Sequence, residues 1–173
     1  VREVKVRAAV AGEKLITLSN EDLTLVPDDA VITDGVSGTI LALAGIKGGL
    51  NSGVTNDTTT ILLESAHFER VATRLGSRRH KLPTDAAKRY ENGLSRAVAP
   101  YGLLACAKLI ADIAGGTVVG MTTAGESSEA RVPVSVALAK INSVLGLSLS
   151  LTHVTAILDR FAYKYEVAGE IVT

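Results

Sequence analysis

The chain has 173 residues, 47% of them hydrophobic but only 3% aromatic. That length buries a real core and suits one larger domain with a smaller one, and a core so short of aromatics has to be built from Leu, Ile, Val and Ala. Eighteen Lys and Arg balance eighteen Asp and Glu, which excludes a strong nonspecific hold on nucleic acid through net charge and leaves only local patches to provide one. The composition is globular rather than disordered. The single Cys106 cannot form an internal disulfide, in keeping with a reducing compartment. Arg, Lys, Asp or Gly interrupts every apolar stretch before the roughly 18 residues a membrane span needs, and no signal peptide is recognisable. The chain opens on Val1 in mid-strand and closes on an apolar EIVT, so it is expected to be a piece of something larger.

From Val1 to about Leu63 the pattern is β. Val4, Val6 and Ala8 alternate with charged residues, and short strands are expected around turns at Gly12-Glu13, Ser19-Asn20 and Pro27-Asp28-Asp29. Leu41 to Ala44 and Thr60 to Leu63 are continuous apolar runs, which suit strands buried on both faces. Between them lie glycines 45, 48, 49 and 53, and Glu64 ends the second run. A glycine run ahead of a charged strand end can admit a ligand to the backbone.

After Ala66 the pattern turns helical. Glu69 to Arg79 predicts a helix with Val71 and Leu75 inward and with Arg70, Arg74 and Arg78, four residues apart, on the outer face. Thr84 to Gly93 reads TDAAKRYENG. Pro100 is placed to start a helix whose stripe is Leu103, Leu104, Ala107, Ile110, Ala111 and Ala114, with Gly115-Gly116 as its stop. The small, nonperiodic residues 121–132 contain the expected linker, which divides a first unit, 1–122, from a second, 131–173, across residues 123–130. In the second unit Ser135 is expected to cap a helix stopped by Gly146, and Thr152 a helix carrying Val154, Ile157, Leu158 and Phe161. A strand at Tyr163 to Val167 would complete a helix-turn-helix-like unit. Its second helix offers only His153 and Arg160 as contacts, which favours packing over base reading. The expected fold class is α+β, a mixed β-rich module with packed helices followed by a small helix-turn-helix-like unit.

Two strings, LALAGIKGGLNSGVTNDTTTILLESAHF from Leu41 to Phe68 and TDAAKRYENG from Thr84, are followed by a helix closed on IADIAGG. In this order and spacing the chain resembles the bacterial phenylalanine–tRNA ligase beta subunit family, over its editing module and the start of its fifth domain. The resemblance implies an α2β2 cytoplasmic enzyme that joins phenylalanine to tRNA(Phe) with ATP and magnesium, synthesis lying on the alpha subunit. This stretch carries no GxxxxGK[ST] loop and no metal-ligand cluster, so no cofactor is expected in it. Its implied task is hydrolysis of tyrosine wrongly attached to that tRNA. An apolar pocket for phenylalanine rejects a substrate that only adds a hydroxyl by about 100-fold, so a second pocket has to recognise the hydroxyl. A carboxylate does so through a charge-assisted hydrogen bond of roughly 1.5–3 kcal/mol, and phenylalanine would leave it desolvated and unpaired.

The resemblance assigns that carboxylate to Glu91, the glutamate of the family's TDAS-[HY]-R-[YF]-E-[RK]-G pattern; from the residues alone it is a surface or helix-end acid. Lys88 stands where the family often has His or Tyr, Asn92 replaces a basic residue, and Leu94-Ser95-Arg96 replaces a common VDP. The family's pocket histidine belongs to a segment preceding Val1. Gly48, Gly49 and Asn51 either line the pocket with backbone N–H groups, in the manner of an oxyanion hole, or form a tight strand-to-strand turn. Glu64 and Ser65 either border the pocket or anchor a loop. His67 and His80 are of the residue type that most often serves as a general base, but no nucleophile with an orienting acid accompanies them, and water activated by the tRNA's own ribose hydroxyl fits better than a triad. His80 is grouped with a basic patch, Arg70, Arg74, Arg78, Arg79, Lys81, Lys88 and Arg89, which serves either RNA phosphates or a solvated face and intersubunit ion pairs. With only Tyr90 and Tyr101 near it for stacking, sequence-specific RNA reading is not indicated. The alternative to an editing enzyme part is a noncatalytic module that positions tRNA or braces the subunit interface.

Overall fold

The structure is a computed structural model and describes residues 2–125 and 132–173. It has the expected α+β character, with antiparallel sheets and helices in two compact units, Val1–Glu129 and Ala130–Thr173. Of the expected linker, residues 126–130 lie outside the described residues.

In the first unit, strands β1 (Val4–Ala8), β4 (Ala30–Asp34), β5 (Ile40–Leu43) and β6 (Lys47–Gly48) pair in that order, all antiparallel. A hairpin of β2 (Lys14–Ile16) and β3 (Asp22–Thr24) joins this sheet through a bridge between Thr17 and Gly49. In β2 and β3, two of the expected short strands, Leu15 and Leu23 are buried between exposed neighbours. The same alternation in β1 leaves Val4 and Val6 exposed at the sheet edge. Leu25, Val31 and Leu43 are the best-buried apolar side chains, and Ile46, Leu82 and Ala87 extend their cluster.

The apolar run Thr60 to Leu63 forms no strand, which corrects the sequence reading. Ile61 and Leu62 are exposed. A strand exists only with a pairing edge, and no described strand pairs with this segment. Glu64 therefore sits in extended loop rather than at a strand end.

Helix α1 (Arg70–Arg79) is capped by Glu69, whose carboxylate accepts from the Ala72 N–H at 2.6 Å. Its inward face is Thr73, Gly76 and Ser77, while Val71 and Leu75, expected inward, are exposed. The reason is close approach: a Cβ at position 76 would lie 2.9 Å from Ile46 Cδ1, so a larger residue there would have to displace the Ile46 side chain. Helix α2 (Asp85–Tyr90) is capped by the Thr84 hydroxyl. Helix α3 (Val98–Ala114) starts two residues before Pro100, which falls in the first turn where the missing N–H costs nothing. Gly115, at φ +68°, ends it as expected.

In the second unit β7 (Val136–Ala137), β9 (Ile171–Val172) and β8 (Val167–Ala168) pair antiparallel in that order, with helices α4 (Leu138–Leu145) and α5 (Leu151–Arg160) between β7 and β8 in the chain. Both expected caps move. Ser135 precedes a strand and pairs its hydroxyl with that of Thr173 at 2.8 Å, and Ser150, not Thr152, caps α5 in a capping box with His153. Gly146 ends α4 in the left-handed conformation, as read.

A candidate site where two motifs meet

The two strings that carry the family resemblance are distant in sequence and adjacent in the fold. Two contacts join them, and a third braces the first string on itself. Between β5 and β6 the chain turns at Gly45, at φ +68°, and Phe68 packs directly on that glycine: a Cβ there would lie 2.8 Å from Phe68 Cδ2. Phe68 in turn meets Tyr90 edge to face, ring centroids 4.9 Å apart at 84°, a favourable aromatic arrangement. The Thr84 hydroxyl, besides capping α2, donates to the Ile46 carbonyl at 2.8 Å.

Glu64 belongs to this cluster. The residue keeps much of its surface, yet its carboxyl is crowded enough that desolvation raises its pKa above the usual carboxylate range. The Tyr90 hydroxyl is raised too, first by desolvation and then by the negative charge of Glu64, so the two groups share one electrostatic neighbourhood. Ser65, half-buried, donates from Oγ to the Ala99 carbonyl at 2.8 Å and ties this loop to the first turn of α3. A partly desolvated carboxyl close to a tyrosine ring is a suitable hydrogen-bond acceptor for a hydroxyl, because fewer waters compete for it than in bulk.

Glu91 follows Tyr90 as the last cap of α2 and is half-buried, its N–H donating to the Ala87 carbonyl at 2.9 Å. It is displaced about 100° round the helix from Tyr90. Asn51 lines a hollow of about 310 Å³ with Leu15, Ile16, Thr39, Ile40, Leu50 and Lys14, and Glu91 is not among the residues that line it. The Gly49 N–H is spent on the Leu41 carbonyl at 2.7 Å, Gly48 accepts from the Leu18 N–H at 2.9 Å, and Asn51 Nδ2 donates to the Ile40 carbonyl at 3.0 Å. These bonds describe a tight turn, and they leave the Gly49 N–H unavailable to an incoming carbonyl.

The basic patch separates into two populations. Arg70, Arg74, Arg78, Lys81, Lys88 and Arg89 are exposed, Lys88 pairing with Asp85 at 3.5 Å. Arg79 points instead at acids, Nη1 at 2.5 Å from Asp29 Oδ1 and Nη2 at 3.5 Å from Asp28 Oδ2. His80, grouped by sequence with the patch, is buried with Nε2 at 2.7 Å from Asp29 Oδ2. The Asp29 side chain is fully buried and also accepts from the Val26 N–H at 3.0 Å. This cluster fastens the C-terminal end of α1 to the turn before β4. Asp29 was missed as a partner because only a turn, Pro27-Asp28-Asp29, marks it, about fifty residues from Arg79 and His80.

A domain family defines the first unit. The model described as the B3/4 domain matches residues 1–115, and the chain belongs to that family. Over 169 residues, 97% of this chain, it is 40% identical to the phenylalanine–tRNA ligase beta subunit of Halalkalibacterium halodurans, covering 21% of that protein. It is 39% identical over 172 residues to the beta subunit of Lactiplantibacillus plantarum, covering 99% of this chain and 21% of the relative, and 38% identical over 165 residues to that of Geobacillus kaustophilus, covering 95% and 20%. The resemblance read from the two motifs is thus borne out across nearly the whole chain. The chain spans about a fifth of the length of the curated relatives it matches.

Proposed function

We propose that the chain is the editing part of a phenylalanine–tRNA ligase beta subunit and hydrolyses tyrosine wrongly esterified to tRNA(Phe). The observation that supports this best is the junction of the two motifs at the Phe68–Tyr90 ring contact, where the charge of Glu64 reaches the Tyr90 hydroxyl. There a tyrosine hydroxyl gains a charge-assisted hydrogen bond worth roughly 1.5–3 kcal/mol, while phenylalanine leaves the acid facing carbon. On this reading Glu64 is the stronger candidate to recognise the hydroxyl, and Glu91, at the end of α2, is the second acid to test. A water oxygen attacks the ester carbonyl carbon, the bond to the ribose oxygen breaks, and the ribose hydroxyl regains its proton as tyrosine leaves. The Gly49 N–H, spent on the Leu41 carbonyl, does not then donate to the ester.

The proposed remainder of the enzyme, including an alpha subunit in an α2β2 assembly in the cytoplasm, uses ATP and magnesium to activate phenylalanine. Among the described residues no group of three His, Cys, Asp or Glu is placed to hold a metal ion, and no helix is long and apolar enough to cross a membrane. The test is made in the full-length enzyme with Glu64→Ala and Glu91→Ala separately. Tyr-tRNA(Phe) should persist roughly 10- to 100-fold longer when the recognising acid is removed, as loss of a hydrogen bond to a charged group requires, with phenylalanine charging retained. Hydrolysis at the unaltered rate in both variants sinks the role of a carboxylate. Binding of tRNA with no hydrolysis by the unaltered enzyme selects the noncatalytic alternative.

A further inference from the structure

We infer that the outward face of α1 is a phosphate ladder, on which Arg70, Arg74 and Arg78 hold successive phosphates of the single-stranded RNA end whose aminoacyl ester occupies the site. The inference rests on the editing reading for the identity of the RNA and on the geometry of α1 for the contact.

The helix contains no acidic residue between Arg70 and Arg79, and all three arginines are exposed. Among the described residues none of the three forms an ion pair, in contrast to Arg79, which is committed to Asp28 and Asp29. Glu69, an acid that feels the charge of Arg70, is occupied in capping the helix. Residues four apart on a helix share one face and rise about 6 Å. The three arginines therefore rise about 12 Å along the helix in a gently slanting row, each about 40° round the axis from the last, with a step comparable to that between neighbouring phosphates of a stacked strand. A chain of zero net charge has no general attraction for RNA, so a local row of unpaired cations is the feature able to provide it.

The row also has a starting point. Arg70 lies over Gly93, where a Cβ would be 3.4 Å from Arg70 Cδ, and Gly93 closes the turn that follows Tyr90 and Glu91. The ladder begins beside the candidate site and leads away from it along α1. An RNA end whose terminal ester reaches Glu64 and Tyr90 has its preceding phosphates within reach of that row. Arginine suits this role because its planar fork grips phosphate oxygens in pairs. An acidic protein surface has the right charge, but nothing ties such a surface to the start of the row at Gly93.

The experiment uses the full-length enzyme with Arg70→Gln/Arg74→Gln/Arg78→Gln and the matching triple Lys variant. Binding of uncharged tRNA(Phe) is measured against salt concentration. Each lost single-strand phosphate contact removes about 0.7 from the slope of log K against log salt, so the Gln variant should show a slope shallower by about 2, and the Lys variant should restore most of it. For hydrolysis, the Gln variant should raise KM for Tyr-tRNA(Phe) with kcat nearly retained. That KM penalty should vanish with tyrosyl-adenosine, which carries no backbone phosphate. A slope equal to that of the unaltered enzyme overturns the ladder and assigns the row to a protein surface. Failure of the unaltered enzyme to hydrolyse either ester overturns the editing reading, while the salt slope still decides the ladder.

Discussion

Asp29 serves two partners with one buried carboxylate, the Arg79 guanidinium on one oxygen and the His80 ring on the other. Removing one member of a buried ionic group leaves the others desolvated and unpaired, typically at 3–5 kcal/mol. Because Arg79 still reaches solvent, Asp29→Ala should lie at the low end, about 3 kcal/mol, read as a lower urea midpoint. Glu64 has the opposite character. Its folded-state pKa is raised by desolvation, so the folded state binds the proton more tightly than the unfolded chain, and stability falls as pH rises from the unfolded carboxylate pKa through the folded one. Glu64→Gln should therefore raise the Tm at pH 7 relative to the unaltered protein, with the gain disappearing in acid. A Tm that is lower for the Gln variant at both pH values would remove the desolvation argument on which the site stands.

Elements meet at the candidate site through small residues, and this makes the turn between β5 and β6 sensitive. Gly45 combines left-handed backbone with Phe68 packed where a side chain would be. Gly45→Ala carries about 1–2 kcal/mol for the backbone conformation alone, and displacement of Phe68 adds to it. The measurable outcome is a destabilisation of about 2 kcal/mol or more in urea, accompanied by loss of tyrosyl-ester hydrolysis, because Phe68 supports Tyr90. An Ala variant with unaltered stability and hydrolysis would show that the Gly45–Phe68 contact does not hold the site. Helix α1 follows the same logic: Thr73, Gly76 and Ser77 face inward because the sheet comes too close for Val71 or Leu75.

At the scale of the whole molecule, the core lies in one of the two units. The main apolar cluster, from Ala9 to Ala87, belongs entirely to Val1–Glu129. In the second unit only Val154 and Val172 are buried among the described residues. Small units with little buried area rarely fold alone. Expressed separately, Val1–Glu129 should unfold cooperatively in urea, and Ala130–Thr173 should give the circular dichroism of a largely unfolded chain. A cooperative transition in the isolated second unit would contradict this division of stability.

The sequence by itself determined what depends on local chemistry and on long ordered motifs: the α+β class, the helix ending at Arg79, the stops at Gly115 and Gly146, and the family. Positive φ at a helix end and a fourfold spacing of arginines are properties of a short stretch, so they are visible in it. Tertiary structure alone decided what depends on a distant partner. Thr60 to Leu63 reads as a strand but has no edge to pair with, and Ser135 and Thr152 yield to an adjacent strand and to Ser150. His80 and Arg79 read as part of a basic face, but a carboxylate fifty residues away draws them to itself. Glu64 looks like any surface acid in the sequence. Only the fold shows that it shares an electrostatic neighbourhood with the Tyr90 hydroxyl, because desolvation is set by the atoms that surround a carboxyl rather than by its neighbours in the chain.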